Sequence, residues 1–204
     1  VSFTQAAATA AAFAGALFVV RRAISAIKAP VSLAVDFERQ FAMIKTLSSE
    51  VGEDVRQELL GLAARVPQTS ADIAKAAYQA ISASIALPDL GNFMDTASKV
   101  AVGGGTTLTS AVDLLSSAVN AYKKQGLSAQ EVSDSFFQTV KLGKTTIEEI
   151  NAVFGRASSL AQYGVSLDDL NSALALLTRQ GMPTAEAMTR INALVKTLAN
   201  PVGN

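Results

Sequence analysis

Gly126-Leu127-Ser128, Gly143-Lys144-Thr145, Gly164-Val165-Ser166 and Gly181-Met182-Pro183-Thr184 are four short segments with one pattern, and this pattern decides the fold. In each segment a glycine comes two or three positions before a hydroxyl residue. Glycine readily adopts the left-handed conformation that ends a helix, and Ser or Thr caps the start of the next one. The pattern therefore predicts a helix on each side of every segment.

The same glycines define a repeat. Gly126 and Gly164 are 38 residues apart, and so are Gly143 and Gly181. Apolar residues recur with the glycines, since Ile150, Val153 and Leu160 align with Met188, Ile191 and Leu198, and one period earlier with Val112, Leu115 and Tyr122. We therefore expect residues 106–201 to form helical hairpins that stack by burying one another's faces. No convincing alternating run indicates a strand, so the fold class is all-α.

The segment before this repeat, residues 31–102, is predicted to form amphipathic helices. Leu33, Phe37, Phe41, Ile44 and Leu47 share one helical face, and Pro67 and Pro88 mark breaks. Thr69 followed by Asp72 predicts an N-terminal cap. Gly103-Gly104-Gly105 predicts a flexible hinge between this region and the repeats.

Residues 1–30 differ from the rest of the chain. Residues 3–29 predict one apolar, Ala-rich helix closed by Pro30. The segment has no acid, and its charges, Arg21, Arg22 and Lys28, follow the apolar stretch, whereas a signal peptide has its charges first. Since the sequence begins with Val1, we expect it to be a piece of a longer protein.

Two uses of residues 1–29 stay open. Small residues permit close packing against copies of the same helix, and the charge-free stretch is also long enough to cross a bilayer's hydrocarbon core. In the second case the arginines would lie at the lipid surface. The residues on which these alternatives depend are Ala8, Ala12, Gly15, Leu17, Phe18, Arg21 and Arg22.

The amino-acid composition argues against most kinds of catalytic and metal-binding site. The sequence has no His and no Cys, which removes the commonest general base, the soft-metal ligands and every thiol nucleophile. A formal net charge of zero argues against a nucleic-acid surface, which needs excess Lys and Arg. We expect a protein that is not an enzyme and uses no cofactor or metal.

Local motifs agree with this expectation. Gly143-Lys144-Thr145 matches the end of a phosphate-binding loop, but Gln138 stands where that loop needs glycine. The acid pairs Glu53-Asp54, Glu148-Glu149 and Asp168-Asp169 fall in the first turns of predicted helices, where carboxylates stabilise the exposed N–H groups. Ser128 with Glu131 and Thr146 with Glu149 predict reciprocal capping boxes.

Several motifs resemble the core region of phage tail tape-measure proteins. They are Thr69-Ser70-Ala71-Asp72-Ile73-Ala74, Lys144-Thr145-Thr146-Ile147-Glu148-Glu149, Gly164-Val165-Ser166-Leu167-Asp168-Asp169-Leu170, Ala173-Leu174-Ala175-Leu176-Leu177-Thr178-Arg179-Gln180-Gly181 and Glu186-Ala187-Met188-Thr189. They occur in the family's order over residues 33–201. Family members often have Ala-Gly-Thr where this chain has Ala187-Met188-Thr189.

The resemblance implies a structural protein that sets tail length. Tail-tube subunits would assemble around it in the host cytoplasm, and it would leave the tube ahead of the genome. The implied partners are tail-tube proteins, tail-tip or baseplate proteins and other copies of itself in a trimer or another cyclic oligomer. The implied location is the virion tail, in the lumen or at the tip.

Two other functions remain possible from the sequence. A helical-repeat adaptor would bind a protein partner in a groove between its hairpins. A membrane-active or pore-forming helical protein is favoured by residues 1–29 alone.

Overall fold

The computed structural model describes residues 33–200, which form nine α-helices and, within that range, no strand. The helices are α1 over residues 33–45, α2 Glu53–Ala63, α3 Ser70–Ser82, α4 Leu90–Gly104, α5 Leu108–Ala121, α6 Ala129–Leu142, α7 Ile147–Ala157, α8 Leu167–Arg179 and α9 Thr184–Ala199. The all-α prediction is confirmed. The helix predicted over residues 3–29 and its end at Pro30 lie outside the described residues.

The helices from α3 onward form two layers. The odd-numbered helices α3, α5, α7 and α9 contact one another in succession, and the even-numbered helices α4, α6 and α8 do the same beside them. Helix α2 packs against α3 and α4 at the start of the stack. Most of these helices also contact a chain neighbour, as α4 contacts α5 and α8 contacts α9, which is the geometry of a helical repeat array.

One continuous core joins the layers and extends from Phe37 to Ile191. Small side chains dominate where helices approach closely: Ala74, Ala76, Ala77 and Ala80 of α3 are fully buried. The larger anchors lie at the centre, where the Phe136 and Phe154 rings meet edge to face with centroids 5.4 Å apart. This geometry suits the electrostatics of aromatic rings.

Helix α1 closes the N-terminal end of this core against α2. Phe37, Phe41 and Ile44 are buried, as predicted. The guanidinium of Arg56 in α2 donates to Glu38 Oε1 at 2.6 Å and lies over the Phe37 ring. Leu33 and Leu47, expected on the same buried face, are instead 46% and 38% exposed, and Leu47 lies in the turn that follows α1.

The repeat begins earlier than the sequence indicated. The caps of the odd-numbered helices are Thr69, Thr107, Thr146 and Pro183, so the period is 38, then 39, then 37 residues. The even-numbered helices α6 and α8 keep 38 between Ser128 and Ser166. The hairpin α3–α4 is therefore part of the same stack. The glycine pattern did not reveal it, because Ser84 has the left-handed conformation that Gly126 and Gly164 have in later turns.

The glycine triplet at the predicted hinge is mostly helical. Helix α4 continues through Gly103 and Gly104 and ends at Gly105, which has φ of 63°. A Cβ at Gly104 would lie 2.6 Å from Ile147 Cγ1, so this glycine allows α4 to approach α7. The expectation of an open hinge over 103–105 is corrected accordingly: two of its three glycines form a packed helix end.

Three of the four predicted glycine turns have the expected conformation. Gly126, Gly164 and Gly181 have φ of 67°, 83° and 93°. Gly143 does not, because its φ of −101° and ψ of −172° are extended. A Cβ there would lie 2.9 Å from Ala175 Cα and 2.6 Å from Thr178 Oγ1, so Gly143 is required for contact with α8 and not for a left-handed turn.

Candidate interaction surfaces

Hydroxyl groups cap most of the helices, as predicted. Ser128 and Glu131 form a full capping box, and the Ser128 backbone N–H and hydroxyl, which both donate to the Glu131 carboxylate, lower its pKa. Thr69, Thr107 and Ser166 likewise accept from backbone N–H groups three residues on. Capping by itself accounts for the Ser and Thr residues at these turns, so no catalytic role is needed to explain them.

The predicted capping box at Thr146 is only half formed. Thr146 Oγ1 accepts from the Glu149 N–H at 3.2 Å, but the Glu149 carboxylate does not return to Thr146. Instead Glu149 Oε2 accepts from Thr145 Oγ1 at 3.1 Å and from Thr184 Oγ1 at 2.9 Å. Thr184, expected to cap α9, is its first residue, and Pro183 stands at the cap position.

These three residues form a clasp between repeats, which we call the Thr145–Glu149–Thr184 clasp. Both threonines are buried, and their hydroxyls are 2.9 Å apart. Because hydrogen bonds to a carboxylate are stronger than those between neutral groups, the clasp fixes the register of α9 against α7. No feature of the sequence distinguished it from an ordinary cap, since Thr146 three residues before Glu149 forms the cap and Thr145 beside it forms the clasp.

Two further polar contacts join equivalent helices. Glu148 at the start of α7 accepts from Thr106 and Ser110 at the start of α5. In the other layer, Ser135 Oγ of α6 donates to Asp168 Oδ1 of α8 at 2.7 Å and accepts from Asn171 Nδ2 at 2.8 Å. These acid pairs are therefore structural. Glu148, Glu149 and Asp168 each bind a residue of an adjacent repeat, and Glu149 and Asp169 also lie beside their own helix caps.

The remaining chemical candidates are accounted for in the same way. Lys144 and Thr145 follow helix α6 and not a strand, and the Lys144 N–H donates to Thr178 Oγ1 of α8 at 3.2 Å. Within residues 33–200, no group of three or more His, Cys, Asp or Glu residues has the arrangement needed to hold a metal ion. Lys123, Lys124 and Lys141 lie in the last turns of helical segments, where the helix dipole favours them.

Among the described residues, the five most exposed large apolar side chains fall on two parts of the array. Val102, Leu142 and Leu176 lie near the ends of the successive helices α4, α6 and α8 and are 56–59% exposed. Leu194 and Leu198 lie in the last two turns of α9, on the side that buries Ala187 and Ile191 further up the helix, and are 60% and 71% exposed.

A groove of about 470 Å³ lies where the α3–α4 turn meets the ends of α5 and α6. Ile85, Phe93 and Leu127 form its apolar side, and Asp89 and Lys123 are among its polar residues. The α3–α4 turn is shorter than the α7–α8 turn, which contains the six-residue segment Ser158–Tyr163, and so it leaves this space uncovered.

The membrane alternative concerns residues that the structure does not describe. Ala8, Ala12, Gly15, Leu17, Phe18, Arg21 and Arg22 all lie outside residues 33–200, so their role stays a prediction. Among the helices in the described range, none combines the length and the apolar character that a membrane span requires.

Comparison with known proteins identifies the family. Neither curated proteins nor solved structures gave a match. The family model described as phage-related minor tail protein matches residues 56–204, which include most of α2 and all of α3 through α9. The match therefore covers nearly three quarters of the sequence and the whole two-layer stack. The chain belongs to the phage-related minor tail protein family, and its role is a structural one in the virion tail.

Proposed function

We propose that this chain is a folded module of a tail tape-measure protein. In this proposal the parent protein sets the length of the tail, tail-tube subunits assemble around it, and it leaves the tube before the genome. Membership of a phage tail family across residues 56–204 is the observation that carries the proposal. The ordered motifs that resemble the tape-measure core supply the more specific assignment.

The architecture suits a compact module of a length-setting protein better than the long helical part that would set the length. A helix rises about 1.5 Å per residue, so a measuring rod needs long uninterrupted helices. Here the longest described helix, α9, has 16 residues. We infer that the stack is a compact unit near one end of the parent protein, where it meets tail-tip or baseplate proteins.

The polar side chains support a structural role. The acids and hydroxyls of the α5, α7 and α9 starts bond to one another across repeats and cap helices. Such contacts stabilise a stack, and the acids and hydroxyls that form them already have hydrogen-bond partners. We therefore propose that the protein acts through its surfaces and needs no cofactor.

Those surfaces suggest association with other copies. Leu194 and Leu198 in the last two turns of α9 are 60% and 71% exposed, which leaves apolar surface that another copy could bury. We propose a trimer or another cyclic assembly on the tail axis, since closed symmetry is the usual arrangement of identical chains.

Particles before and after ejection test the proposed location and release. An antibody raised against residues 33–200 should detect the protein in intact, detergent-opened tails and fail to detect it in tails that have ejected their DNA. Tail-tube protein serves as the control, because it stays in both samples. Equal amounts of the module in full and emptied tails would contradict release with the genome.

Each of two alternative functions is favoured by one specific observation. The groove of about 470 Å³ beside Phe93 would suit an adaptor that holds a partner's apolar side chain. The charge-free residues before Arg21 would suit insertion in the host envelope late in infection. A peptide of residues 1–30 that stays unbound to anionic liposomes would eliminate the second alternative.

A further inference from the structure

A second groove, of about 370 Å³, lies between α6 and α8 and has an apolar end and a polar end. Leu142, which is 56% exposed, lies with Ala175 at the apolar end. Ser135, Asp168 and Asn171 lie at the polar end. None of the residues that line the groove is basic. The groove therefore combines an aliphatic wall with a negative charge that its own lining does not balance.

A chain of two hydrogen bonds determines which polar atoms of the groove are left without a partner. Ser135 has one hydroxyl proton and donates it to Asp168 Oδ1 at 2.7 Å. It therefore accepts from the Asn171 side chain, whose Nδ2 lies 2.8 Å away, so Asn171 Oδ1 points away from Ser135. Asn171 is 4% exposed, and among the described residues its Oδ1 has no hydrogen-bond partner. None of the ion pairs within residues 33–200 includes Asp168.

Stacking of the repeats does not by itself require these two side chains. One period of 38 residues earlier, Ser133 stands in the place of Asn171 and Gln130 in the place of Asp168. Ser133 is buried to the same degree, at 3% exposed, and Gln130 donates to Asp134 of its own helix. A buried acceptor without a donor is unfavourable, so its presence at one junction and not at the other needs an explanation.

We propose that this groove binds an arginine side chain of a protein partner. A guanidinium presents its N–H donors in a planar fork, so one edge bonds the Asp168 carboxylate and another N–H reaches Asn171 Oδ1. The aliphatic stem lies along Leu142, in the way that long basic side chains cover apolar surface. Asn171 Oδ1 is itself covered, and a turn about the Cβ–Cγ bond, a torsion with a broad preference, brings it to the ligand.

Other cations suit the groove less well. Asp168 and Asn171 are three residues apart on α8, with about 5–6 Å between their Cβ atoms, and a fork of donors spans this distance better than the compact ammonium of lysine. A divalent metal ion needs several oxygen ligands, and Asp168 is the one carboxylate among the residues that line the groove. This inference rests on the proposed function, in which the protein acts through its surfaces, and it names the chemistry of one partner.

Titration of the full chain with N-acetyl-arginine methylamide tests the arginine site. Nuclear magnetic resonance follows the Asn171 side-chain amide and the Leu142 methyl groups in isotopically labelled protein. We expect both signals to shift and saturate, with a Kd of roughly millimolar size because one side chain contributes few atoms. The neutral isostere N-acetyl-citrulline methylamide and the lysine analogue should each bind severalfold more weakly. Equal binding of either analogue, or shifts that do not saturate, would overturn the inference.

Two substitutions test the residues that form the site. Asp168→Asn keeps the size of the side chain and removes its charge, and Asn171→Ser installs the residue found at position 133 and removes the spare acceptor. Each should weaken binding of the arginine analogue severalfold, while thermal melting checks that the stack is folded. Asp113→Asn is the matched control, because Asp113 lies in the α3–α5 groove of about 260 Å³, whose lining has no buried acceptor without a partner. An equal loss of affinity in this control would refute the assignment.

Phage particles then connect the groove with assembly. Asp168→Arg in the parent protein should reduce the yield of assembled tails, because it places a like charge where the partner's arginine binds, and Asp113→Arg should not. Equal yields from these two variants would count against the site. If the arginine analogue does not bind but antibody still detects the module in intact tails, the inference fails and the proposed function stands. Absence of the module from intact tails contradicts the proposed function itself.

Discussion

Tyr122 lies at the end of α5 with 1% of its surface exposed, and its hydroxyl is buried without a hydrogen-bond partner. Burial without such a partner is unfavourable for a polar group. Burial also raises the pKa of the Tyr122 hydroxyl to about 12. The ring is needed to fill the core beside Phe154, with centroids 6.4 Å apart, but the hydroxyl contributes nothing favourable there.

Replacing Tyr122 with Phe should therefore raise the free energy of unfolding by about 1 kcal/mol, because the buried hydroxyl is removed and the ring stays. The difference should depend on pH. The raised pKa means that the folded state keeps its proton where an unfolded tyrosine, with a pKa near 10, loses it. Wild-type stability should thus fall between pH 10 and pH 12 more steeply than that of the variant, as measured by urea unfolding. Identical slopes in the two proteins would contradict the assignment.

Ser84 is a non-glycine residue in the left-handed region, with φ of 66°. It ends α3 in the way that Gly105 ends α4: the next N–H returns to a carbonyl of the last turn, from Ile85 to Ala80 and from Thr106 to Ala101, both at 3.0 Å. A side chain in this conformation costs roughly 1 kcal/mol or more.

Ser84→Gly should accordingly raise the thermal midpoint, with a gain of about 0.5–1 kcal/mol after the extra freedom of glycine in the unfolded chain is included. Gly105→Ser is the matched reversal, since a Cβ there meets nothing within 4 Å and only the backbone strain is added. It should lower stability by about 1 kcal/mol. Calorimetry of both variants decides the matter, and a Ser84→Gly protein that melts earlier would argue against strain at this turn.

At the scale of helices, Gly143 decides how closely α6 and α8 pack. Its contacts with Ala175 and Thr178 show why the same glycine pattern can serve two purposes, a left-handed turn at Gly126, Gly164 and Gly181 and a close approach at Gly143. Only the positions of neighbouring helices distinguish the two cases.

Gly143→Ala should therefore destabilise the array by about 1–3 kcal/mol, because the added methyl group overlaps the backbone of α8 and one packed helix must move. Gly155→Ala in α7 is the control. Its Cβ would meet nothing within 4 Å, so it should gain up to about 1 kcal/mol of helix propensity. Equilibrium unfolding in urea measures both, and equal effects of the two substitutions would refute the close-approach role.

Local patterns predicted the helices better than their contacts. Pro67, Pro88 and Gly126 fall in breaks between helices as expected, although α2, α3 and α5 end four to six residues before them. Thr69 and Ser128 cap as expected, because capping is a property of a few consecutive residues. The Thr145–Glu149–Thr184 clasp could not be predicted, since it depends on how α9 lies against α7. The early start of the repeat at Thr69 was missed because the repeat was recognised from its glycines, and the end of α3 has Ser84 in the left-handed position instead.

At the scale of the whole molecule, the described helices form an array with exposed apolar side chains on its last helix. The 204-residue chain has a formal net charge of zero. A chain without net charge has no long-range repulsion to oppose association with its own copies. Both properties suit a component of a symmetric tail better than a free monomer.

We expect purified full-length chain to associate as concentration rises, most simply as a trimer, because apolar surface is then removed from water. Light scattering across a hundredfold range of concentration measures this. Leu198→Glu should shift the distribution toward monomer, and Lys196→Glu on the same helix serves as the control for added acid. A soluble monomer throughout the range, together with no oligomer in particles, would count against a self-assembling module.

The central claim, that this stack is an assembly module within a length-setting tail protein, is tested most directly by tail length in mutant particles. Two in-frame deletions of 38 residues are made in the parent gene, one that removes a repeat within residues 126–201 and one in a helical part outside this chain. Electron microscopy should show no assembled tails for the first, because adjacent helices lose the faces that bury them. The second should give tails shorter by about 57 Å, the rise of 38 helical residues. Normal tails from the first deletion, or unchanged length from the second, would contradict the account.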